Sequence, residues 1–524
     1  MTRFLTVLLL MNFAESWAQA QVLAKTNVFS ITSSNLETNK RIDCIAAGNE
    51  TFISLSKIKG GQTGSSDYVL EKYDLSLTSK FSVVLNSPQE EDYKELHLIG
   101  TQVYLFSEIH DVTNKKKALK VYAFNAETGA KVFDKVLHEQ VVNAWLAAPA
   151  KAVTKETFEM AVSSCLLPNF NTPLEYQYFV HLSQDKSKIL VYSFDYSQKN
   201  LVAQTIVYDA SFNAFAQGNV GIDNNFVSYG MYPNNRGELH ILNSDRGGRI
   251  VMIRYDLNTK DNVFLDIQAS IHKREGLKLQ FLNDDEVYVA NTFTSNKKLM
   301  GVMYSKFDFK ERLVDKLNIY DISQGLIQTS TAMRSSNKAV APQENWLNFH
   351  ITDFVVNEYE KVIIVIEKKE LEVINFPYDA GSVNDIKNWQ EKTGKVHVES
   401  VILLSFNKND GLLWENYYLK SQVNDVSAGV LSASYSFNIS DEGRVRMVYA
   451  DSDNSTGVYN QIRYVEWDEL NGSKVKDMSL QNDEGIALLR NYSIWWEKKL
   501  MIVGRKGLLG KKSIVNVYNL EGKS

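Results

Sequence analysis

Residues 68–85, YVLEKYDLSLTSKFSVVL, hold an apolar run, the pair Tyr73-Asp74, a short polar turn and a second apolar run. The same phrase returns as VYAFNAETGAKVFDKV from Val121, VMIRYDLNTKDNVFLDI from Val251 and ILLSFNKNDGLLWENYYL from Ile402. At its centre an aromatic is followed by Asp or Asn. That step falls at Tyr73-Asp74, Phe124-Asn125, Phe194-Asp195, Tyr255-Asp256, Phe307-Asp308, Phe406-Asn407, Trp467-Asp468 and Tyr518-Asn519.

A unit of a few short strands, repeated every roughly 50 to 60 residues, cannot cover both faces of its own sheet and must stack on its neighbours. The reading is an all-β chain: a β-propeller of eight blades, each a four-stranded antiparallel sheet. Seven blades is the alternative if one step is accidental. The apolar runs Val103–Phe106, Val362–Ile366 and Leu500–Val503 do not alternate, which means that both faces of those strands are covered. Their length and β-branched content argue against helix. Between runs, Thr128-Gly129, Asn235-Arg236-Gly237, Asp410-Gly411, Asp441-Glu442-Gly443 and Asn471-Gly472 supply residues that tolerate positive φ.

The second repeat shows the plan: Leu96–Ile99, Val103–Ser107, Leu119–Asn125 and Lys131–Leu137. These are strands A to D from the axis outward. Repeat boundaries fall near residues 37, 90, 153, 222, 275, 347, 428 and 484. The last repeat runs out after Val515–Asn519, where an outer strand is due, while a spare strand, Val22–Ile31, precedes the first. Pairing the two closes the ring and removes an open edge.

Residues 1–20 read as a cleaved signal peptide: Arg3, an apolar core from Phe4 to Phe13, and the small-residue ending Ala18-Gln19-Ala20. The mature chain, 21–524, is expected as a single propeller domain, secreted or periplasmic. No later apolar run approaches the roughly 20 residues of a transmembrane helix. A net charge of −5 with interspersed lysines and acids excludes the concentrated basic face that nucleic acid demands. Lys115-Lys116-Lys117 reads as a solvated hairpin tip. Cys44 and Cys165 sit in apolar strands of the first and third repeats, and are expected as buried thiols rather than a disulfide.

Ala126-Glu127-Thr128-Gly129-Ala130-Lys131-Val132-Phe133 and Asn409-Asp410-Gly411-Leu412-Leu413-Trp414 resemble the repeat of pyrroloquinoline-quinone-type eight-bladed propellers. That repeat has an Asp, a Thr-Gly turn and a Trp packed between blades; Phe133 stands at the Trp position, and Trp414 comes one residue early. The resemblance implies the eight-bladed architecture. The family holds quinone-dependent dehydrogenases and also non-catalytic scaffolds such as the outer-membrane assembly propeller. Its dehydrogenases commonly carry a vicinal cysteine pair and a calcium-ligating carboxylate set, and this sequence has no adjacent cysteines.

Chemistry-bearing motifs are few. Asp451–Gly457 places oxygens at alternate positions as a calcium loop does, but lacks Gly at the sixth position and Glu at the twelfth, which is Ile462. No zinc spacing and no nucleophile elbow occurs. Trp495-Trp496 reads as packing between blades. No catalytic residue, metal or cofactor is expected. The sixth repeat departs from the others, with a polar lead-in, Gln324–Asn345, and an interruption, Lys368–His397, holding a short amphipathic helix at Val383–Trp389. The expected site is one loop-rich face with Trp346, Phe376, Tyr378 and Trp389 as anchors and Arg334 and Lys338 beside them. The partner expected there is a protein or glycan of the envelope or extracellular space, met by a monomeric ring. The alternative is a propeller enzyme acting on carbohydrate, a glycoside hydrolase or lyase.

Overall fold

The computed structural model describes residues 22–30, 43–59, 66–87, 91–111, 114–141, 178–195, 201–222, 226–245, 249–268, 274–295, 298–322, 349–373, 394–408, 411–425, 435–452, 459–482, 485–506 and 512–521. They form eight antiparallel sheets in a ring, a β-propeller. Among the described residues there is no α-helix.

In chain order A to D, blade one is Asp43–Ala46, Thr51–Lys59, Ser66–Asp74 and Ser79–Ser87, and blade two is Glu91–Ile99, Gln102–Asp111, Lys116–Asn125 and Lys131–Val141. Blade three is Phe179–Leu182, Lys188–Asp195, Leu201–Asp209 and Ala214–Ile222. Blade four is Phe226–Pro233, Leu239–Asp245, Arg249–Tyr255 and Asn262–Gln268. Blade five is Arg274–Phe281, Glu286–Ser295, Lys298–Asp308 and an outer strand in two pieces, Leu313–Val314 and Asn318–Asp321. Blade six is Phe349–Val356, Val362–Val373, Gly394–Phe406 and Leu412–Asp425; blade seven is Tyr435–Ile439, Arg444–Ser452, Tyr459–Asp468 and Lys474–Leu480.

Blade eight is assembled from both ends of the chain. Its inner strand is split into Ile486–Leu488 and Ile494–Trp495 around a 3-10 turn, Arg490–Tyr492, and is followed by Lys499–Lys506 and Lys512–Asn519. Val22–Ser30 is its strand D, antiparallel to strand C with Thr26 opposite Val515. The closure read from the sequence is therefore the closure of the fold.

The Asp or Asn of the repeated step has a local job. In all eight blades it ends strand C or directly follows it, and its Oδ1 accepts a backbone N–H from the turn that comes next, which in blades one to seven leads into strand D. Asp74 takes Ser76 and Thr78, Asn125 takes Glu127 and Thr128, and Asp256 takes Asn258. Asp308, Asn407, Asp468 and Asn519 do the same for Lys310, Gly411, Leu470 and Glu521. Such side-chain acceptors satisfy turn donors that the ladder leaves behind. One assignment is corrected here. Phe194-Asp195 ends strand B of blade three, not strand C, and the capping step of that blade is Tyr208-Asp209, whose carboxylate accepts Ser211 and Asn213. The count of eight survives because the true step has the same two residue types.

Just beyond several of these turns the register slips by one residue, so that Lys72 faces Phe81, Ala123 faces Phe133 and Ser405 faces Trp414. Phe81, Phe133 and Trp414 thus occupy one equivalent place, and Trp414 comes early only because its turn is shorter. Each leans on the next blade. A Cβ added at Gly129 or Gly472 would lie 2.6 Å from the Phe81 or Trp414 ring, and Phe133 packs beside Phe212. Trp414 Nε1 also donates to the Glu469 carbonyl at 2.9 Å.

The core is distributed as one apolar cluster in each seam between blades. Val362, Ile364 and Ile366 face blade five, while Ile363 and Val365 face blade seven. The unbroken apolar run follows from that two-sided burial. Cys44 is buried in the seam of blades eight and one, and burial pushes its thiol up to about 12. Cys165, and the third boundary near 153, lie outside the described residues.

Candidate functional site

Strand reversal gives the ring two ends. The A–B and C–D turns emerge at one, the turn end; the B–C turns and the D-to-A connectors emerge at the other, the loop end. At the turn end every seam is crossed by a polar tie. Lys72–Glu127 at 2.7 Å joins blades one and two, Lys186 Nζ reaches the Leu98 carbonyl at 3.2 Å, and Asp185 N donates to Asn235 at 3.0 Å. Arg236–Asp285 at 2.6 Å, Tyr288–Glu360 at 2.8 Å and Lys361–Glu469 at 3.3 Å continue the series. Lys476 Nζ to the Leu520 carbonyl at 2.7 Å and Lys499–Glu50 at 2.5 Å complete it. Burial alone raises the Glu360 carboxyl, but Lys408, Tyr288 and Lys306 outweigh it and bring it down to about 2. Exposed ties are each worth about 0–1 kcal/mol. Together they join each blade to its neighbours at this end.

At the loop end, the strands flanking 323–348 and those flanking 374–393 finish on the same side of the ring. Trp346, Phe376, Tyr378, Trp389, Arg334 and Lys338, and the helix expected at Val383–Trp389, lie outside the described residues. The interruption of blade six is shorter than its sequence suggests. Strands B and C stay paired out to Val373 opposite Gly394, so Lys368–Val373 and Gly394–His397 belong to the ladder.

Blade six also holds a polar cluster that sequence reading missed. Glu367 and Lys420 form an ion pair with both side chains fully buried. Gln422 Oε1 accepts from Lys420 at 2.8 Å, and its Nε2 donates to the Ala450 carbonyl of blade seven at 2.7 Å. Lys420 Nζ also lies 5.2 Å from the Tyr435 ring centre, and the Arg490 guanidinium of blade eight lies 5.0 Å from it. The Tyr435 hydroxyl donates to Asp353 of blade six at 2.5 Å and meets the Thr352 hydroxyl; Arg490 Nη2 holds both Asp353 oxygens at 2.7 and 2.8 Å. Burial, and then the Asp353 carboxylate, hold the Tyr435 phenol protonated. The arrangement ties blades six, seven and eight together, and its phenol is a donor rather than a base. Nothing in the local strand pattern marks it, because Lys and Glu on outer and inner strands ordinarily face water.

A second buried carboxylate, Glu108 of blade two, meets the Tyr178 backbone just before blade three. Burial raises Glu108, but His110, Lys94 and the Tyr178 N–H more than offset it and lower its carboxyl. Lys94 lies at 2.7 Å, His110 at 3.2 Å and the Tyr178 N–H at 2.9 Å. Lys117 corrects the reading of a solvated lysine tip: it is buried, with Nζ 5.0 Å from the Tyr178 ring centre, while Lys115 and Lys116 are exposed. Trp495 and Trp496 pack into the two seams on either side of blade eight, as consecutive strand residues must. Most of the Asp451–Gly457 stretch lies outside the described residues, and among those described no three His, Cys, Asp or Glu side chains converge as metal ligands.

No protein-family model and no curated protein matches this chain. Solved structures do, at low likeness. Sqt1 of Saccharomyces cerevisiae is 7% identical, covering 96% of this chain and 99% of that one, with a TM-score of 0.44. The β-propeller domain of the trilobed protease of Pyrococcus furiosus is 9% identical over 83% and 95%, with a TM-score of 0.34. A europium-containing methanol dehydrogenase is 8% identical over 90% and 89%, with a TM-score of 0.39.

Proposed function

We propose that this chain is a secreted or periplasmic propeller that does no chemistry of its own and binds a protein or glycan of the envelope or extracellular space through its loop end. The observation that carries the reading is the contrast between the two ends. At the turn end a polar tie crosses every seam, whereas the described strands that flank 323–348 and 374–393 finish together at the loop end of the blade that holds the Glu367–Lys420 cluster. Trp346, Phe376, Tyr378 and Trp389 supply aromatic anchors there, with Arg334 and Lys338 for a polar rim.

The test is to replace 374–393 by a two-residue Asn-Gly turn joining the Val373 and Gly394 ladder ends. Unchanged circular dichroism and melting temperature are expected, with loss of binding on a glycan array and loss of cross-linked partners from envelope extracts. Capture at full affinity by the shortened ring would move the site elsewhere, most directly to the axis. N-terminal sequencing of the exported protein tests the location separately, with a start near Gln21 expected.

A further inference from the structure

The outer strand of each blade is a sheet edge whose backbone is paired on one side only within its own sheet. Soluble proteins guard such edges with charge, proline or bulges, because an unguarded edge invites another strand. Seven of the outer strands here carry at least one charged residue, Lys80, Lys131, Asp266 and Lys474 among them. Strand D of blade three, AFAQGNVGI from Ala214 to Ile222, carries no charge and no proline over nine residues.

Its glycines sharpen the point. Gly218 is explained by its own ring, since an added Cβ would sit 3.1 Å from Lys260 Nζ and 3.2 Å from Leu257 Cδ2. Gly221 is not: its φ lies outside the left-handed region, and an added Cβ would meet nothing within 4 Å. A glycine in an extended strand with open space around it fits the close approach of another backbone. Gln217 and Asn219 are exposed, and Phe215 is 46% exposed, on a strand whose Ala216 and Val220 are buried.

We propose that this edge pairs with the same edge of a second copy, antiparallel about a two-fold axis centred on Gly218. In that register Gln217 of each copy lies opposite Asn219 of the other, Ala216 opposite Val220, and Gly221 comes level with Phe215. The sequence is self-complementary in this arrangement, as an isologous interface requires, because each amide both donates and accepts and no like charges meet. A second copy is favoured as the occupant for that reason. One strand pair buries less than the roughly 1,200 Å² of a stable interface, so association is weak and grows with concentration.

The experiment is sedimentation of the full chain over a wide concentration range, with two double variants at the exposed amides, Gln217→Lys/Asn219→Lys and Gln217→Glu/Asn219→Glu. The native chain is expected to shift toward dimer with concentration. Each double variant should dimerise on the order of tenfold more weakly, since like charges face each other twice, while an equimolar mixture of the two regains dimer. Melting temperatures close to the native value keep misfolding out of the reading. A native chain that stays monomeric throughout overturns the proposal. So does a lysine variant that dimerises as the native chain does, or a mixture no better associated than its components.

Discussion

The turn end and the loop end of this ring reverse the same strands in different ways. At the turn end, each strand C is capped by its own Asp or Asn, and the turns lean on one another through aromatic-on-glycine contacts such as Trp414 on Gly472. At the loop end, the described fixed points are buried charges: Glu367–Lys420 joins strands B and D of blade six, with Gln422 carrying the network on to blade seven, and Glu108 holds Lys94 of its own blade and the Tyr178 N–H next to blade three. The difference teaches that one end is specified by local chemistry repeated eight times, and the other by a few long-range contacts made once each. Repetition leaves a turn end with little room for individuality. Singular contacts leave a loop end that can differ from blade to blade.

The sharpest way to break this contrast is at the buried pair. Lys420→Met strands the Glu367 carboxylate in a seam that water does not reach, and unfolding free energy should fall by about 3–5 kcal/mol in a denaturant titration. Adding Glu367→Leu should recover much of that loss, because an apolar pair needs no compensation. A single variant as stable as the native chain would mean that the loop end is held by something else.

A smaller effect tests the turn end. Gly472 has φ +68° and its added Cβ would collide with the Trp414 ring, whereas Gly100 has φ +59° and open space. Gly100→Ala should cost about 1 kcal/mol from backbone strain alone. Gly472→Ala should cost about 1–3 kcal/mol more. Equal costs at the two sites would remove the aromatic contact from the account.

The smallest effect is a slope. His240, near the A–B turn of blade four, is buried among Phe281 and Phe309 with neither ring nitrogen partnered; burial first, then Arg254 and Arg236, lower it from 6.5 to about 3. A depressed folded value means that the unfolded chain takes up the proton first, so this group's stability is present above pH 6.5 and is lost as pH falls toward about 3. His240→Phe should flatten the stability profile across that window while leaving stability at pH 8 little changed. An unaltered slope would place the acid sensitivity in other groups.

Much of the fold was legible because its signals are local. An Asp or Asn that caps a turn two to four residues on is visible in the chain itself, and so are two-sided apolar runs and an unpaired strand at each terminus. The one misplaced step, Phe194-Asp195 in place of Tyr208-Asp209, shows the limit of such signals: an aromatic followed by an acid ends a buried strand at either end of a blade, and only pairing tells which. Lys117, Lys420 and Glu367 read as ordinary surface charges because burial belongs to the seam, not to the strand that carries them. Strand D of blade three likewise became an uncharged outer edge only when the order of strands placed it outermost. The sequence by itself determined the strand class, most of the turns, the count of eight and the closure, since each rests on groups a few residues apart or on the chain's own ends. Tertiary structure decided which charges are buried, which aromatics meet a glycine and which uncharged strand lies outermost in its sheet, because those depend on what strands and blades bring to one another.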